Sequence, residues 1–178
     1  MDSVVVRPLQ ERDWEQLREV RLRALRTERP YFHSVYEDEL RKADHDWRAL
    51  ARNADERGRV FGLFDGEMLV GITGAFTDRD DSSGRTARFG FTYIDPAYRG
   101  RRLTRLIYEA RLNWVRSRPQ FTKALVSHRR SNERSGRAVR AHGFVHVATT
   151  VWTWHDGQID DELHYELRLD EAPSARLP

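Results

Sequence analysis

The segment from Asp95 to Thr104 carries the most distinctive chemistry in the sequence. It reads Asp-Pro-Ala-Tyr-Arg-Gly-Arg-Arg-Leu-Thr and lies between a predicted strand and a predicted helix. A turn that leads into a helix N-terminus directs several unpaired backbone N–H groups into one space, where the helix dipole adds positive potential. Gly100 permits the backbone shape that such a turn needs. With Arg99, Arg101 and Arg102 beside it, the segment predicts a phosphate-binding cradle.

The distribution of charge supports an anion site in this part of the chain. The 178 residues include 31 Lys and Arg and 28 Asp and Glu, a net charge of +3. Thirteen of the basic residues and only two acidic ones lie between residues 97 and 140, while the remainder of the chain is net acidic. Nearly all of the cations are arginine, which binds phosphate through a two-pronged fork. Individual arginines can be explained as solvated surface residues that stand in place of lysine. That explanation does not account for the concentration of basic residues between residues 97 and 140.

Hydrophobic periodicity and turn residues predict the elements that position the cradle. The predicted helices begin at Trp14, at Asp44 or Asp46 (ending near Ala54), at Leu103 (ending at Arg116) and at Asn132. The predicted strands are 4–7, 59–64, 67–76, 87–94, 124–128, 144–154 and 163–169, and residues 31–39 are a predicted loop or short turn. Asp65-Gly66 is the predicted hairpin turn between the second and third strands. Asp13 is the predicted cap of the first helix. The interleaving predicts an α/β (α+β) fold, one domain over residues 1–170 with a single mixed central sheet, followed by a tail at residues 171–178.

Two motifs of the chain resemble those of the GCN5-related N-acetyltransferases, the GNAT family. The segment Asp95–Thr104 is similar to the family's pyrophosphate motif, Arg/Gln-x-x-Gly-x-Gly/Ala. Downstream, Ser131-Asn132-Glu133-Arg134-Ser135 followed by Gly143-Phe144 looks like the family's Asn-led helix that ends in Gly-Phe. The predicted element order matches as well, so the resemblance covers residues 4–169.

The resemblance implies a sheet in which two neighbouring parallel strands, 87–94 and 124–128, splay apart to admit the pantetheine of acetyl-CoA. It therefore implies that acetyl-CoA is the co-substrate and that an amine accepts the acetyl group. The cofactor-binding residues carried over by position are Thr92, Tyr93 and Ile94 for the pantetheine arm, Arg99, Gly100, Arg101, Arg102, Leu103, Thr104 and Arg105 for the pyrophosphate, and Asn132 on the far side.

The chain departs from the family pattern at several positions. Arg102 and Thr104 occupy positions where the motif has small residues. The family's tyrosine acid would fall at Val139 and its glutamate base at Ser127. An amine is mostly protonated at neutral pH, so a base is still needed. The candidates are His128 at the end of a predicted strand, and Tyr31 and His33 in the predicted loop beside the acceptor pocket.

Composition excludes several classes of protein. The chain has no cysteine, which excludes disulfides and thiolate catalysis, and its histidines lack metal-ligand spacing, so we expect no metal site. It has no apolar run long enough for a membrane span and no signal-like start, so we expect a cytoplasmic protein with no membrane association. The basic segment lacks the interleaved aromatic residues of nucleic-acid grooves, so we expect no nucleic-acid partner.

The identity of the acceptor stays open at this stage. Acidic residues cluster at 37–46, 78–81 and 160–162, and if they rim the pocket they favour a cationic amine; ordinary loop solvation is the alternative. Trp152 and Trp154 share a face of one strand and indicate core, a homodimer seam or a pocket wall. A non-catalytic CoA-binding or regulatory module of the same fold is the alternative to an enzyme, because Val139 and Ser127 replace the family's catalytic residues.

Overall fold

Seven strands form one mixed sheet in the order β1-β2-β3-β4-β5-β7-β6. The strands are β1 (Val5–Pro8), β2 (Gly58–Asp65), β3 (Met68–Thr77), β4 (Thr86–Ile94), β5 (Lys123–Arg129), β6 (Val145–Thr153) and β7 (Ile159–Arg168). Only β4 and β5 pair in parallel. The computed structural model describes residues 4–52 and 57–170, so the predicted tail at 171–178 lies outside the described residues. The mixed central sheet predicted from the sequence is confirmed.

Helices cover both faces of the sheet. They are α1 (Trp14–Thr27), α2 (Tyr36–Leu40), α3 (Asp44–Arg52), α4 (Leu103–Arg116) and α5 (Glu133–Ala141). Successive strand residues point to opposite faces: Val60 packs in the cluster that contains α1 and α3, and Phe61 in the one that contains α4 and α5. The predicted extension of α3 to Ala54 falls partly on residues 53–56, outside the described residues. In the described part of the chain, no helix has the length and apolar character needed to cross a bilayer.

Two local predictions near the N-terminus are confirmed only in part. Residues 31–39, predicted as a loop or short turn, contain the five-residue helix α2, whose first turn holds three acidic residues that favour a helix N-terminus. Ion pairs stabilise this region, since Glu39 lies buried against Arg21 and Lys42. Asp13 is the N-cap residue of α1, as predicted, but its side chain makes no capping bond to that helix. Its carboxylate instead accepts from the Arg7 guanidinium and from the amide of Gln10.

The parallel pair β4–β5 opens along its length. Hydrogen-bonded pairing runs only from Thr86–Lys123 to Phe89–Val126. Beyond that point β4 stays paired with β3, through a bulge where Phe91 adopts φ +64°, and β5 stays paired with β7 as far as Arg129. The facing edges of residues 90–94 and 127–129 are therefore left open to each other. We call this opening the notch, and it confirms the splay that the family resemblance implies.

Candidate active site

A turn with free amides lies at the carboxyl end of β4, where the notch opens. Asp95 caps a short 3-10 turn by accepting from the amide of Ala97, and Gly100 follows with φ +80°. Among the described residues, no acceptor is recorded for the amides of residues 100–102. The first turn of α4 adds further unpaired N–H groups and the positive end of its dipole. The turn thus has the free amides and the helix N-terminus on which the predicted phosphate-binding cradle depends.

Arg102 occupies an unusual backbone position at the start of α4. It is the N-cap residue, with φ +60° and ψ 20°, and its side chain makes no capping bond. This left-handed region favours glycine, which explains why a small residue is expected there. The Arg102 side chain is exposed, while Leu103 is buried against the sheet and Thr104 is half-buried.

The other arginines of the turn are differently engaged. The Arg99 guanidinium pairs with Glu28, and its Nε donates to the carbonyl of Ile94 at 2.8 Å. Its charge is thus neutralised inside the protein, which argues against the phosphate role carried over to it. Arg101 is exposed and lies over the Tyr98 ring at 4.8 Å. Arg105 pairs with Glu109 along the exposed side of α4 at 3.3 Å.

The β4 residues predicted to contact the cofactor present different groups to the notch. Thr92 is exposed, and its hydroxyl lies 2.8 Å from that of Thr73. Tyr93 buries its ring in the core shared with α1 and α3, so its backbone is the part left at the strand edge. Ile94 packs against α4 residues and already uses its carbonyl to accept from Arg99.

Asn132 and Val139 lie at the two ends of α5. The Asn132 side chain accepts from the amide of Ser135 at 3.1 Å and so caps the helix. Its amide group is still available to a ligand, because the capping bond uses only the oxygen. Val139 is fully buried in the core with Tyr108 and Phe144. The position where the family has a tyrosine therefore offers no hydroxyl in this chain.

His128 lies beneath α5 rather than on the opposite face of the sheet. A Cβ built on Gly136 would come within 3.0 Å of the imidazole, and the ring stacks on Tyr165. Its Nδ1 lies 2.8 Å from the Arg129 carbonyl, and its buried Nε2 has no hydrogen-bond partner among residues 4–52 and 57–170. Burial lowers the pKa of His128 although the Arg129 carbonyl opposes the change. The residue is enclosed, which argues against its role as the base.

Ser127 begins the open part of β5 and points away from α5, because side chains alternate along a strand. Its hydroxyl donates to the carboxylate of Glu162 on β7 at 2.5 Å. Burial raises the pKa of Glu162, but hydrogen bonds from His33 and Ser127 outweigh it and bring the pKa down to about 2. A carboxylate is thus present beside Ser127, supplied by the neighbouring strand.

His33 is brought to the same place by the loop before α2. Its Nε2 lies 2.9 Å from the Glu162 carboxylate. The ring stacks on Trp154 and meets the edge of Trp152, each at 5.0 Å between centroids. An ionised carboxylate can only accept, so Nε2 is the donor to Glu162, and Nδ1 is the nitrogen left to exchange a proton with another group. We call this pair the His33–Glu162 dyad.

Arg129 fixes the loop that carries His33. Its buried guanidinium pairs with Asp156 and Asp160 at the β6–β7 turn and lies 3.4 Å from the carbonyl of Pro30. The carbonyl of His33 lies 2.9 Å from the imidazole of His155 in the same turn. Tyr31, the third predicted catalytic residue, is 41% exposed and has no recorded side-chain hydrogen bond within the described residues.

Most acidic residues that were expected to rim an acceptor pocket are paired with arginine. Asp78 pairs with Arg88, and Asp161 with Arg130. Asp156 and Asp160 share Arg129. Glu162 is different because its carboxylate faces Ser127 and His33. The sequence places Glu162 in an acidic cluster but does not reveal its pairing with His33. The one available signal is that Ser127 on β5 stands where the family has a glutamate, which a carboxylate on a neighbouring strand could replace.

The sequence matches the model of a known protein family over most of its length. A family model described as an acetyltransferase (GNAT) domain matches residues 3–145. No curated protein matches the chain significantly in sequence.

Solved structures share the fold at low sequence identity. A GNAT-family acetyltransferase from Streptococcus pneumoniae superposes with a TM-score of 0.80 at 15% identity, covering 93% of this chain and 99% of the other. A putative acetyltransferase from Salmonella typhimurium, solved with acetyl-CoA, gives 0.78 at 19% identity, with coverage of 97% and 99%. Spermidine N-acetyltransferase from Vibrio cholerae, in complex with CoA and spermine, gives 0.70 at 16% identity, with coverage of 93% and 95%.

The family model spans most of the chain, and the notch and cradle stand where the family resemblance expects them. The chain therefore belongs to the GNAT family of acetyltransferases.

Proposed function

We propose that the protein transfers the acetyl group of acetyl-CoA to a primary amine by direct attack in a ternary complex. The observation that carries the proposal is that the parallel ladder ends at Phe89–Val126, so that the edge of β4 facing β5 is open from there to Ile94, just before the turn with the free amides of residues 100–102. The cradle fits a diphosphate, and the notch fits the extended pantetheine arm. Bound there, acetyl-CoA would supply an activated acetyl thioester.

The protein contributes positioning and electrostatic stabilisation. Holding the amine against the thioester supplies about 7–11 kcal/mol of the barrier reduction. Unpaired N–H groups on the open edge of β4 are suited to stabilise charge on the carbonyl oxygen, typically worth about 3–4 kcal/mol for one donor. β4 is paired with β3 along one edge, and this pairing keeps the donors on its open edge oriented before substrate arrives.

The His33–Glu162 dyad is our candidate for the base. Nδ1 of His33 would accept the amine proton, and Glu162 would hold the ring and stabilise the imidazolium that forms. With its pKa at about 2, Glu162 stays ionised and acts as a positioning residue. Tyr31 on the same loop is proposed to contact the acceptor. His128 is not assigned a proton-transfer role, because it is enclosed beneath α5.

Binding and turnover test the proposal together. Acetyl-CoA should raise the melting temperature of the protein by binding only to the folded state. A panel of primary amines with acetyl-CoA should then release free CoA thiol. Gly100→Val is the matched control, since it blocks the left-handed turn of the cradle without touching the dyad. Absence of a thermal shift for the wild-type protein at saturating acetyl-CoA would contradict the proposal.

A non-catalytic CoA-binding module is the second candidate. The burial of Val139 favours it, because no hydroxyl replaces the family's acid at that position. This candidate predicts binding of acetyl-CoA without acetyl transfer to any amine and without hydrolysis. Thiol release that depends on an added amine decides for the enzyme.

The acceptor reaches the notch from the side of His33. Trp152 stands there with 46% of its surface exposed and offers an aromatic wall. Glu162 is the ionised carboxylate nearest to the base, which suits a single amino group. Because most of the other residues in the three acidic clusters pair with arginine, we propose a primary amine of modest positive charge rather than a long polycation.

We also propose that the protein forms a homodimer through β6. This edge strand has no Lys, Arg, Asp, Glu or Pro in nine residues, and it exposes Val145, Val147 and Val151. Natural edge strands are usually protected by charge or proline, so an uncharged edge favours pairing with a second copy. Light scattering after size exclusion should give a dimer, and Val151→Lys should give a monomer; a monomeric wild-type protein at micromolar concentration would contradict it.

A further inference from the structure

Arg111 is buried on the α4 face of the notch. It lies on α4 with 2% of its surface exposed. Its Nη1 lies 3.3 Å from the hydroxyl oxygen of Thr92, and its guanidinium stands over the rings of Phe89 and Tyr108 at 4.5 and 4.3 Å. Its Nε has no recorded hydrogen-bond partner within the described residues. The side chain is therefore held by a hydroxyl and two aromatic faces.

Comparison with the other buried arginines shows how unusual this is. Arg21 pairs with Glu39, and Arg129 pairs with Asp156 and Asp160. Arg111 has no carboxylate within salt-bridge distance in the part of the chain that the structure describes. An unpaired buried cation is costly, and arginine keeps its charge where lysine would lose it. Burial lowers the pKa of Arg111, and Tyr108 opposes that change.

Thr92 connects this charge to the notch. Its hydroxyl oxygen lies near Arg111, which can only donate, and near the buried hydroxyl of Thr73. When the Thr73 hydroxyl donates as well, the Thr92 oxygen accepts both bonds and the Thr92 hydroxyl proton is left to donate elsewhere. Within the protein, that proton can be accepted by the carbonyl of Gly90 at 3.3 Å. Thr92 is exposed and lies on β4 beyond the last parallel pair, so its proton is available to a group that enters the notch.

We propose that Arg111, acting through the Thr92 hydroxyl, stabilises negative charge on the sulfur of CoA as the acetyl group leaves. This inference rests on the proposed acetyl transfer. In that reaction the amine nitrogen bonds to the acetyl carbon, the C–S bond breaks with its electron pair going to sulfur, and the amine proton goes to the base. The chain has valine where the family has a tyrosine acid, so a fixed cation would do the work of a proton donor at the sulfur. Arg111 is thus a positioning residue that acts through Thr92.

The groups around Arg111 define the controls. Tyr108 faces it from α4, Thr92 and Phe89 from β4, and Thr73 lies behind Thr92 on β3. From α5, His142 stacks on Tyr108 at 3.9 Å, and His128 lies under the same helix. Any contribution of these two histidines to binding is common to ligands with and without sulfur. A ligand without sulfur therefore separates their effect from that of Arg111.

The test compares the binding of CoA and desulfo-CoA by calorimetry between pH 6.5 and 9.5. If bound CoA carries a stabilised thiolate, the affinity ratio of CoA to desulfo-CoA in the wild-type protein should rise with pH, about tenfold for each unit by which the bound thiol pKa is lowered. Arg111→Met and Thr92→Val should abolish most of that rise. Arg116→Met, which removes an exposed cation from the end of α4, should leave it intact.

Parallel pH profiles for the two ligands in the wild-type protein would overturn the inference, and so would an unchanged rise in both variants. If Arg111→Met does not fold, the wild-type comparison and Thr92→Val still decide the matter. If CoA and desulfo-CoA both bind normally but with identical pH dependence, this inference fails while the cradle stands. If neither ligand binds, the proposed function fails with it.

Discussion

Replacing Glu162 by glutamine tests the dyad most directly. The substitution removes one negative charge and keeps a side chain of nearly equal size. In the wild-type protein, the Glu162 carboxylate accepts from Ser127 at 2.5 Å and lies 2.9 Å from Nε2 of His33. These contacts bring its pKa down to about 2, against an ordinary value of 4.5.

The shift sets the size of the expected effect on stability. A change of this size corresponds to about 3 kcal/mol in favour of the folded state. The His33 side chain is 45% exposed, so solvent screening reduces the contribution to about 1–2 kcal/mol. Because the folded-state pKa is the lower one, the stabilisation is fully present above pH 4.5. It is lost as the pH falls from 4.5 towards 2.

Urea unfolding at pH 7 and pH 3 measures this contribution. We expect the free energy of unfolding of the wild-type protein to exceed that of Glu162→Gln by about 1–2 kcal/mol at pH 7. At pH 3 the difference should be less than half as large. Asp161→Asn on the same strand is the matched control, because its pair with Arg130 is partly exposed and contributes little. An equal difference between wild type and Glu162→Gln at both pH values would refute the reasoning.

The same variant has a kinetic consequence. A charge-assisted hydrogen bond is about twice as strong as a neutral one, a difference of about 1–1.5 kcal/mol. If that difference orients His33 and stabilises its protonated form, kcat should fall about tenfold, while KM for acetyl-CoA should not change. A change confined to KM for acetyl-CoA would show that Glu162 acts on the cofactor instead.

Four further substitutions probe separate parts of the molecule. Gly100→Val should weaken CoA binding at least tenfold by calorimetry, and more than Arg101→Ala, because φ +80° strains a β-branched residue; equal losses would contradict this. His33→Ala should lower kcat about 100-fold or more with unchanged CoA affinity in steady-state assays; retention of full activity would remove the base assignment. Because burial lowers the pKa of His128, wild-type stability should decline as the pH falls below 6.5, and His128→Asn should flatten that decline in thermal melts without moving the pH–rate profile. Arg129→Met should lower the melting temperature and raise KM for the amine more than KM for acetyl-CoA; the reverse order would separate Arg129 from the acceptor side.

The sequence predicts the strands, turns and helix around the proposed cradle well because their signals are local. Asp95, Gly100 and the apolar spacing of α4 lie within a short stretch, and backbone geometry alone turns them into a helix N-terminus with free amides. The predicted bounds of α4, Leu103 to Arg116, agree with the structure. The Asp65-Gly66 turn likewise predicts the β2–β3 hairpin from two residues.

The surroundings of the His33–Glu162 dyad depend on contacts between residues far apart in sequence, which local patterns do not encode. His33 and Glu162 are 129 residues apart, and Arg129 meets Pro30 across 99. Arg99 illustrates the same limit. Its position in the basic turn predicts that it binds phosphate, but its guanidinium forms an ion pair with Glu28 at the C-terminal end of α1. Helix α2 is missed because ion pairs rather than an apolar stripe hold it.

The boundary of the family match, at residue 145, falls just where β6 begins. The proposed cradle and the β4 edge of the notch lie before it, whereas Glu162, both tryptophans beside His33 and the partners of Arg129 lie after it. The solved structures superpose on 93% and 97% of this chain, so the last hairpin shares the fold while its residues beside His33 lie beyond the family match. We therefore expect that grafting the last hairpin of another family member onto this chain changes the preference among amines and leaves CoA affinity unchanged.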